Sequence, residues 1–332
     1  MERIGVGFSS GLQPKEVVEC VKYAETLSYE SAWMAEAHAG DQFSILTACA
    51  MATSRIKLGT SISSVFVRSA PTIAMAAATV DELSGGRFIL GLGSSHRVQV
   101  VGEHGLVYSK PLSRVRETIE VVRKIWRDVD MSYHGELIKI EGFNLWFEPL
   151  RHEIPIYLGA VNPKMLRFTG AVGQGVILTR STLEQTRRAV AHVAQGAKDA
   201  GRQPEDIEMA TQLSCSISND KETARNPVRD RVAMYAARFP RYRKVMEDAG
   251  YGDALEAVSQ AWLAGERDKA RRLVPAGLLD EMSLIGTQDE VRARIQAYRE
   301  AGITLPIISP SVEREGGVEQ AMATIRACAP QS

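Results

Sequence analysis

The chain has 332 residues, and its 40 lysine and arginine residues balance its 40 aspartate and glutamate residues. A net charge of zero gives no global field that would favour nucleic acid or an anionic membrane surface, so neither is expected as a partner. The length allows two domains or one (β/α)8 barrel, which needs about 250 residues plus insertions.

Cysteine usage and hydropathy indicate the compartment in which the protein works. The four cysteines lie far apart without CxxC spacing, which favours reduced thiols in the cytoplasm over a disulfide framework or a metal site. They are Cys20, Cys49, Cys215 and Cys328. No segment reaches the roughly 18 apolar residues of a membrane helix, and the first residues lack the pattern of a secretion signal. We therefore expect a cytoplasmic protein that is neither targeted nor membrane-spanning.

The first part of the chain alternates short apolar runs with amphipathic segments. This pattern is typical of the successive strand and helix units that build a parallel sheet. The predicted strands cover residues 3–8, 31–35 and 56–62, and the predicted helices cover residues 14–27, 44–53 and 72–83.

The stretch DELSGGRFILGLGSSH at residues 81–96 combines a helix end, a turn, a buried strand and a candidate site. The helix is expected to end at Gly85 and Gly86, which can adopt the left-handed conformation. The apolar run after them does not alternate, which suits a strand covered on both faces. Ligands of parallel α/β proteins bind beyond the carboxyl ends of the strands, so the polar residues there are site candidates. They are Ser94, Ser95 and His96.

The rest of the chain continues this alternation after a polar interruption. Ser113 is a candidate N-cap for the next helix, and residues 133–147 indicate a short antiparallel excursion. Residues 221–279 are polar, Arg-rich and helical in pattern, too long for one crossover helix, and therefore indicate a helical insertion. Thr287 and Glu290 form a capping-box pattern. Further strands are predicted at residues 154–158, 175–179, 208–217 and 305–309, with helices at residues 164–170, 183–200, 287–301 and 318–327.

The strand count favours one closed barrel. Eight predicted strands that alternate with helices are typical of a (β/α)8 barrel, and an open doubly wound sheet stays an alternative because one sequence does not give the strand order. The predicted organisation is a single domain over residues 1–332, with the helical insertion at about 221–279.

Several segments resemble a known family, the bacterial luciferase-like flavin enzymes. The likeness is strongest over SAPTIAMAAATVDELSGGRFILGLGSS and IYLGAVNPKMLRFTGAVGQGVIL, and it extends to WMAE and IKLGTSI. Within the family, the chain resembles the branch of coenzyme F420-dependent oxidoreductases that includes methylenetetrahydromethanopterin reductase. The resemblance covers nearly the whole chain and is weakest over residues 221–279. It implies a (β/α)8 barrel with insertions after strands three, four and seven.

The resemblance also implies a cofactor at the carboxyl face of the barrel, coenzyme F420 or alternatively FMN. A non-proline cis peptide is typical of the family at the end of strand three and falls here on the bond between Ser61 and Ile62, for which a trans bond is the alternative. In the strand-five loop, backbone N–H groups at a helix N-terminus would suit a phosphate group. The family's cofactor contacts after strands four and five fall on Ser94, Ser95, Gly159, Ala160, Val161 and Asn162.

Two positions depart from the family pattern and bear on catalysis. Many F420 enzymes carry an adjacent Asp-His pair after strand two, where this chain has Glu36, Ala37 and His38. Some relatives have a glutamate proton donor at the end of strand four, where this chain has His96, a residue type that titrates near neutral pH. We predict His96, Glu36 and His38 as candidate catalytic residues, and an exposed loop histidine is the alternative for His96.

Three functions are compatible with these features. The first is hydride transfer between F420 and an organic substrate stacked on the deazaflavin ring, with Glu36 or His96 handling the proton. The second is an FMN-dependent monooxygenase, whose site would shelter a peroxyflavin from water. The third is a barrel that binds a flavin without catalysis or serves as a subunit partner. The family usually forms dimers through helices near strands two and three, so a homodimer is expected, with a small-molecule substrate and no metal.

Overall fold

A computed structural model describes residues 2–312 and 316–331 of the chain. At the centre of these residues, eight parallel strands each pair with the next along the chain, and the eighth also pairs with the first. The sheet therefore closes, which confirms the predicted (β/α)8 barrel and excludes the open sheet. The barrel strands are β1 (Gly5–Phe8), β2 (Ser31–Met34), β3 (Lys57–Thr60), β4 (Phe88–Gly93), β5 (Ile156–Gly159), β6 (Gly175–Thr179), β7 (Glu208–Ile217) and β8 (Leu305–Pro310).

Helices follow the strands, and those outside the segment between β7 and β8 cover the barrel because they present apolar side chains to the outer face of the sheet. Those before the insertion are α1 (Pro14–Thr26), α2 (Gln42–Ala52), α3 (Ala70–Leu83), α4 (Pro111–Arg127), α5 (Pro163–Val172) and α6 (Leu183–Asp199). Those from the insertion onward are α7 (Lys221–Arg238), α8 (Pro240–Met246), α9 (Gly252–Leu263), α10 (Arg267–Leu273), α11 (Ala276–Met282), α12 (Gln288–Glu300) and α13 (Gly317–Ala327).

Short elements lie between these. Met131–His134 and Lys139–Phe143 form the antiparallel excursion as a hairpin. Leu284–Gly286 pairs with the end of β7. The other short elements are Ser63–Ser64 beside β4, the π-helical turns Gln99–Glu103 and Glu247–Tyr251, and the 3-10 turn Pro204–Asp206.

The start of α4 differs from the sequence prediction. Ser113 was expected to cap this helix, but the helix begins at Pro111, and the capping position belongs to Lys110 with a φ of +43°. Proline suits the first helical turn because its φ is already helical and its missing N–H would have no partner there. The prediction of Ser113 as the N-cap is therefore wrong, because the N-cap is Lys110, about one helical turn earlier in the chain.

The stretch from α3 to β4 folds as the sequence predicts. Gly85 and Gly86 have φ values of +65° and +81°, which turn the chain sharply after the helix. The Asp81 carboxylate is buried at this turn and pairs with Arg151, whose guanidinium also donates to the Phe88 carbonyl oxygen at 2.7 Å. This ion pair ties the end of α3 to the start of β4 and so fixes the direction of β4.

The barrel interior is filled by side chains from β2 and from β4 to β8. The Trp33 and Tyr157 rings lie 5.6 Å apart between centroids, and both are buried. A Cβ atom on Gly59 would lie 2.4 Å from the Trp33 ring, so the indole needs a glycine opposite it. The layer around these rings consists of Ile89, Ile177, Ala210, Leu305 and Ile307. Bound ligands are therefore confined to the ends of the barrel.

The segment between β7 and the strand Leu284–Gly286 is helical, as predicted, and has a hydrophobic core of its own. Leu255, Val258 and Leu278 are fully buried within that core. We refer to α7–α11 as the helical insertion. Among the residues that the structure describes, no helix is long and apolar enough to cross a bilayer.

Candidate active site

The end of β3 forms a bulge at the mouth of the barrel, the face where the carboxyl ends of the strands meet. Backbone pairing with β4 is interrupted there. The Thr60 hydroxyl donates to the Gly91 carbonyl oxygen and accepts from the Gly91 N–H, both at 2.8 Å. The peptide bond between Ser61 and Ile62 is cis. Pairing with β4 resumes at Ser63–Ser64, so the bulge consists of the residues in between.

Ile62 lies where three strand ends meet. A Cβ atom added to Gly93, at the end of β4, would lie 2.8 Å from the Ile62 side chain. A Cβ atom added to Gly159, at the end of β5, would lie 3.1 Å from it. The ends of β3, β4 and β5, which carry the predicted cofactor residues, are thus in contact around one side chain.

The loop after β5 leads directly into α5. Ala160 is buried, and Val161 packs against the core of the helical insertion. The Asn162 side chain caps α5 by accepting a hydrogen bond from the Met165 N–H at 2.9 Å, and Pro163 occupies the first turn. Asparagine before proline is a strong helix start, which explains why the loop ends and α5 begins at this point.

Glu36 follows β2 and is held by two partners. Its carboxylate accepts a hydrogen bond from the Ser64 N–H at 2.6 Å and pairs with the Arg68 guanidinium. Arg68 also pairs with Asp41, whose carboxylate caps α2. Burial acts to lower the pKa of Arg68, but the two carboxylates outweigh it and raise that pKa. Glu36 therefore ties the loop after β2 to the bulge.

A cavity of about 540 Å³ lies beside Glu36, between the loops after β2, β3 and β4. His38 is at its edge, where the side chain is 77% exposed and its Nε2 lies 3.0 Å from the Glu103 carboxylate. Ser95, with a φ of +53°, contributes to the opposite wall. Other residues that line this cavity include Asp41, Gln42, Arg68, Thr72, Gln99 and His104.

His96 is half-buried and lies against aromatic side chains of the helical insertion. Its ring centroid is 4.5 Å from that of Phe239 and 5.2 Å from that of Tyr242. Burial, together with the positive charges of Arg180 and Arg241, lowers the pKa of His96 to about 4. The imidazole is therefore neutral at pH 7.

The side chains that surround His96 were not predicted from the sequence. Arg180 follows β6 and lies over the Tyr235 ring, with its guanidinium carbon 3.6 Å from the ring centroid. Arg241 of α8 donates to the Ser94 hydroxyl at 3.3 Å. A partial signal was present, since Arg231, Tyr235, Phe239 and Tyr242 recur at spacings of three and four residues. In the structure Phe239 lies between α7 and α8, and Tyr242 belongs to α8, so the spacing alone does not place these side chains at the mouth.

The predicted site residues thus divide by location. The residues predicted to bind the cofactor are around the bulge and in the loop after β5, Glu36 and His38 border the cavity, and His96 faces the helical insertion. Within residues 2–312 and 316–331, no three His, Cys, Asp or Glu side chains are placed to hold a metal ion.

A closed parallel barrel with polar residues gathered at the carboxyl ends of its strands is the architecture of (β/α)8-barrel enzymes. The comparison with protein families specifies the group, because the sequence pattern of the luciferase-like monooxygenases matches residues 2–305. The chain belongs to that family.

Relatives of known description match over nearly the whole chain. A 5,10-methylenetetrahydromethanopterin reductase from Archaeoglobus fulgidus is 32% identical over 91% of this chain and 91% of its own. The enzyme of the same name from Methanolobus tindarius is 31% identical over 90% of this chain and 91% of its own. Among solved structures, the coenzyme F420-dependent tetrahydromethanopterin reductase from Methanopyrus kandleri superposes with a TM-score of 0.87 at 25% identity, covering 99% of this chain and all of its own.

Proposed function

We propose that the protein transfers a hydride between coenzyme F420 and an organic substrate that binds over the deazaflavin ring. The observation that carries this proposal is the likeness, over nearly the whole chain, to a reductase whose description names coenzyme F420. The proposal concerns the cofactor and the reaction type, and it leaves the identity of the substrate to the inference below.

The residues at the mouth fit a flat cofactor with an anionic tail. Ile62 offers an apolar surface backed by glycines, and the hydroxyl oxygens of Ser61 and Ser63 are buried without a hydrogen-bond partner among the described residues. Polar atoms at the edge of a cofactor ring would give those hydroxyls hydrogen-bond partners. When bound, the deazaflavin supplies a two-electron carrier that accepts or donates hydride.

The chain's own residues would then share three tasks. Ile62 would support the ring, together with Ser94 and Ser95 from the end of β4. The backbone N–H groups at the start of α5, in the loop from Gly159 to Asn162, would hold a phosphate, because the helix dipole favours negative charge there.

The third task is proton handling, which we assign to His96. Its neutral imidazole can accept a proton when the substrate is oxidised and return it when the substrate is reduced. Glu36 is the alternative, but its carboxylate already binds Arg68 and the Ser64 N–H. His38 is mostly exposed and pairs with Glu103, which supports a role at the edge of the cavity only.

The assignment of His96 is tested by single-turnover kinetics of the F420-loaded protein. We expect His96→Ala to slow turnover by about 10²–10⁴-fold, the usual contribution of general acid–base catalysis, with F420 affinity within about twofold of wild type. Glu36→Gln is the matched control, and the larger loss identifies the proton carrier. Full turnover of His96→Ala from pH 6 to 8 would instead assign the proton to Glu36 or to water.

The cofactor is tested by titrating the purified protein with F420 and with FMN side by side, using fluorescence quenching. Preferential binding of F420 supports the proposal. Preferential binding of FMN would favour the luciferase-like monooxygenase, and failure of both would favour a barrel without catalysis.

We also propose that the chain forms a single domain, assembles as a homodimer and works in the cytoplasm. The thiols of Cys20, Cys49, Cys215 and Cys328 are free and buried, which supports a reducing compartment. Light scattering on the purified protein tests the assembly, since a monomer mass at micromolar concentration would contradict the homodimer.

A further inference from the structure

We propose that the substrate carries an anionic group, a phosphate or a carboxylate, and that Arg180, Arg231 and Arg241 hold this group between the helical insertion and the mouth of the barrel. The inference rests on the proposed function, because it assumes that a substrate enters this space.

The three arginines reach the mouth from different elements. Arg180 follows β6, and its guanidinium donates to the Thr179 hydroxyl at 3.2 Å. Arg231 of α7 reaches the loop after β1 and donates to two serine hydroxyls, at 3.2 and 2.7 Å. Arg241 of α8 reaches the loop after β4 and donates to the hydroxyls of Ser94 and Tyr108, at 3.3 and 3.0 Å. Together they extend across the mouth.

Aromatic rings fix how close these arginines are to one another. The Arg180 guanidinium carbon lies 3.6 Å from the Tyr235 ring centroid, and Tyr235 is one helical turn after Arg231. The same Arg180 carbon lies 5.4 Å from the ring centroid of Tyr242, the residue next to Arg241. Arg180 is therefore the centre of the group, with the other two on either side.

The partners of this group are neutral. Among residues 2–312 and 316–331, no carboxylate oxygen lies within 4.0 Å of the guanidinium nitrogens of Arg180, Arg231 or Arg241. Hydroxyls and aromatic faces orient a guanidinium without cancelling its charge. Three positive charges thus have no carboxylate in contact with them, two on the half-buried Arg180 and Arg231 and one on the exposed Arg241.

Other arginines near this group are paired with carboxylates instead. On α7, Arg229 pairs with Glu222 at 2.8 Å and Arg238 pairs with Glu103 at 3.2 Å. At the other side of the mouth, Arg68 binds both Glu36 and Asp41. Guanidinium groups are well suited to bind phosphate and carboxylate oxygens in pairs, so an oxyanion is the ligand that this group fits.

The charges also act on one another. Burial and the positive charge of Arg180 lower the pKa of Arg231 to about 10. The Arg231 guanidinium therefore stays protonated at neutral pH. Its positive charge is held at a cost in free energy, which a bound anion would reduce. The loop from Gly159 to Asn162 offers a separate place for a cofactor phosphate. We therefore assign the arginines to the substrate, next to His96.

Binding of inorganic phosphate by the full-length protein tests the site without turnover. At constant ionic strength, calorimetry on wild type should show saturable phosphate binding. Arg180→Gln and Arg241→Gln should each weaken phosphate binding by about tenfold or more. The loss of one charge-assisted hydrogen bond costs roughly 1.4 kcal/mol or more, and 1.4 kcal/mol corresponds to a tenfold change in affinity. Arg187→Gln removes the same charge from an exposed position of α6 and should leave phosphate binding unchanged. Arg180→Lys keeps the positive charge and should retain part of the phosphate binding.

A spectroscopic readout separates an anion site from a structural role of the arginines. The charged or titratable side chains that face His96 are Arg180, Arg241, Tyr235 and Tyr242. Phosphate should offset the two positive charges and raise the pKa of His96, as followed by imidazole NMR signals. If neither phosphate nor succinate binds to wild type, or if the bound anion leaves this pKa unchanged, the proposal is overturned whether or not the variants fold.

Two further arms identify the source of the anion. Succinate in place of phosphate distinguishes a carboxylate site from a phosphate site. Titration with F420 distinguishes substrate from cofactor tail: Arg180→Gln should keep F420 affinity within about twofold of wild type, whereas a tenfold loss would assign the arginines to the cofactor and overturn the substrate inference. A wild-type protein that binds phosphate but not F420 would contradict the proposed function and leave the anion site standing.

Discussion

His96 has an environment that its sequence context does not reveal. The loop after β4 would leave a histidine exposed, but α7 and α8 fold back and cover it with Phe239 and Tyr242. The arginines nearby add positive charge to a side chain that is already partly removed from water. Both effects disfavour the imidazolium form.

The stability of the protein should therefore depend on pH through His96. The pKa is about 4 in the folded state and about 6.5 in the unfolded state, so the unfolded chain binds a proton between these values and the folded chain does not. Stability from this group is full above pH 6.5 and falls as the pH decreases towards 4. At pH 5 the loss is about 2 kcal/mol.

Urea unfolding at pH 7 and pH 5 measures this effect. His96→Gln keeps a neutral polar side chain and should lose about 2 kcal/mol less than wild type between the two pH values. His134→Gln, on the exposed hairpin, is the matched control and should follow wild type. An equal pH dependence for wild type and His96→Gln would show that His96 titrates normally.

At the scale of elements, the contact between β3 and β4 determines the shape of the mouth. The bulge leaves the Thr60 carbonyl oxygen pointing at Gly91, where a Cβ atom would lie only 1.8 Å away. The backbone of Thr60 cannot move aside as a flexible side chain can, so position 91 requires glycine.

Gly91→Ala should consequently lower the free energy of unfolding by about 3 kcal/mol, because the added methyl group collides with backbone. Gly102→Ala is the control, since no atom outside its neighbours lies within 4 Å of the added methyl group. It should change stability by less than about 0.5 kcal/mol. Denaturant unfolding of the two variants makes the comparison, and equal stabilities would mean that the bulge can shift.

The sequence predicts elements well where the signal is local. The bounds of β6 and β7 match the predicted strands, and the Thr287 capping box forms as expected. The start of α4 was missed because two local signals compete, and proline at position 111 outweighs serine at 113.

The candidate site could be predicted only in part for a physical reason. Parallel strands bring their carboxyl ends together, so the meeting of Ile62 and Gly159 follows from the barrel alone. The position of Arg231 and Tyr242 depends on how α7 and α8 return across the mouth, a contact between distant parts of the chain that no local pattern encodes.

At the scale of the whole molecule, the protein has two hydrophobic cores. One lies between the barrel and its outer helices, and the other lies inside the helical insertion. Val161 and Ile285 connect the insertion core to the ends of β5 and β7. Separate cores allow separate opening, because local stability follows local packing.

Leu255→Ala should loosen the insertion and spare the barrel. Leu255 is fully buried in the insertion core, and a leucine-to-alanine change in a core costs about 2–5 kcal/mol. Hydrogen exchange should accelerate in α7–α11 and stay unchanged in β1–β8. Leu58→Ala, in β3, is the matched control and should accelerate hydrogen exchange in the barrel. Acceleration throughout the chain in Leu255→Ala would indicate a single cooperative unit.

The filled barrel around Trp33 and Tyr157 also bears on the order of events during turnover. If cofactor and substrate stack in the mouth as proposed, they share one opening to solvent, because the side chains beneath them close the barrel interior. The deeper molecule must then arrive first and depart last, while the outer one is exchanged for its product above it. Steady-state kinetics of such a protein follow a compulsory-order scheme, in which an analogue of the outer molecule traps the inner one.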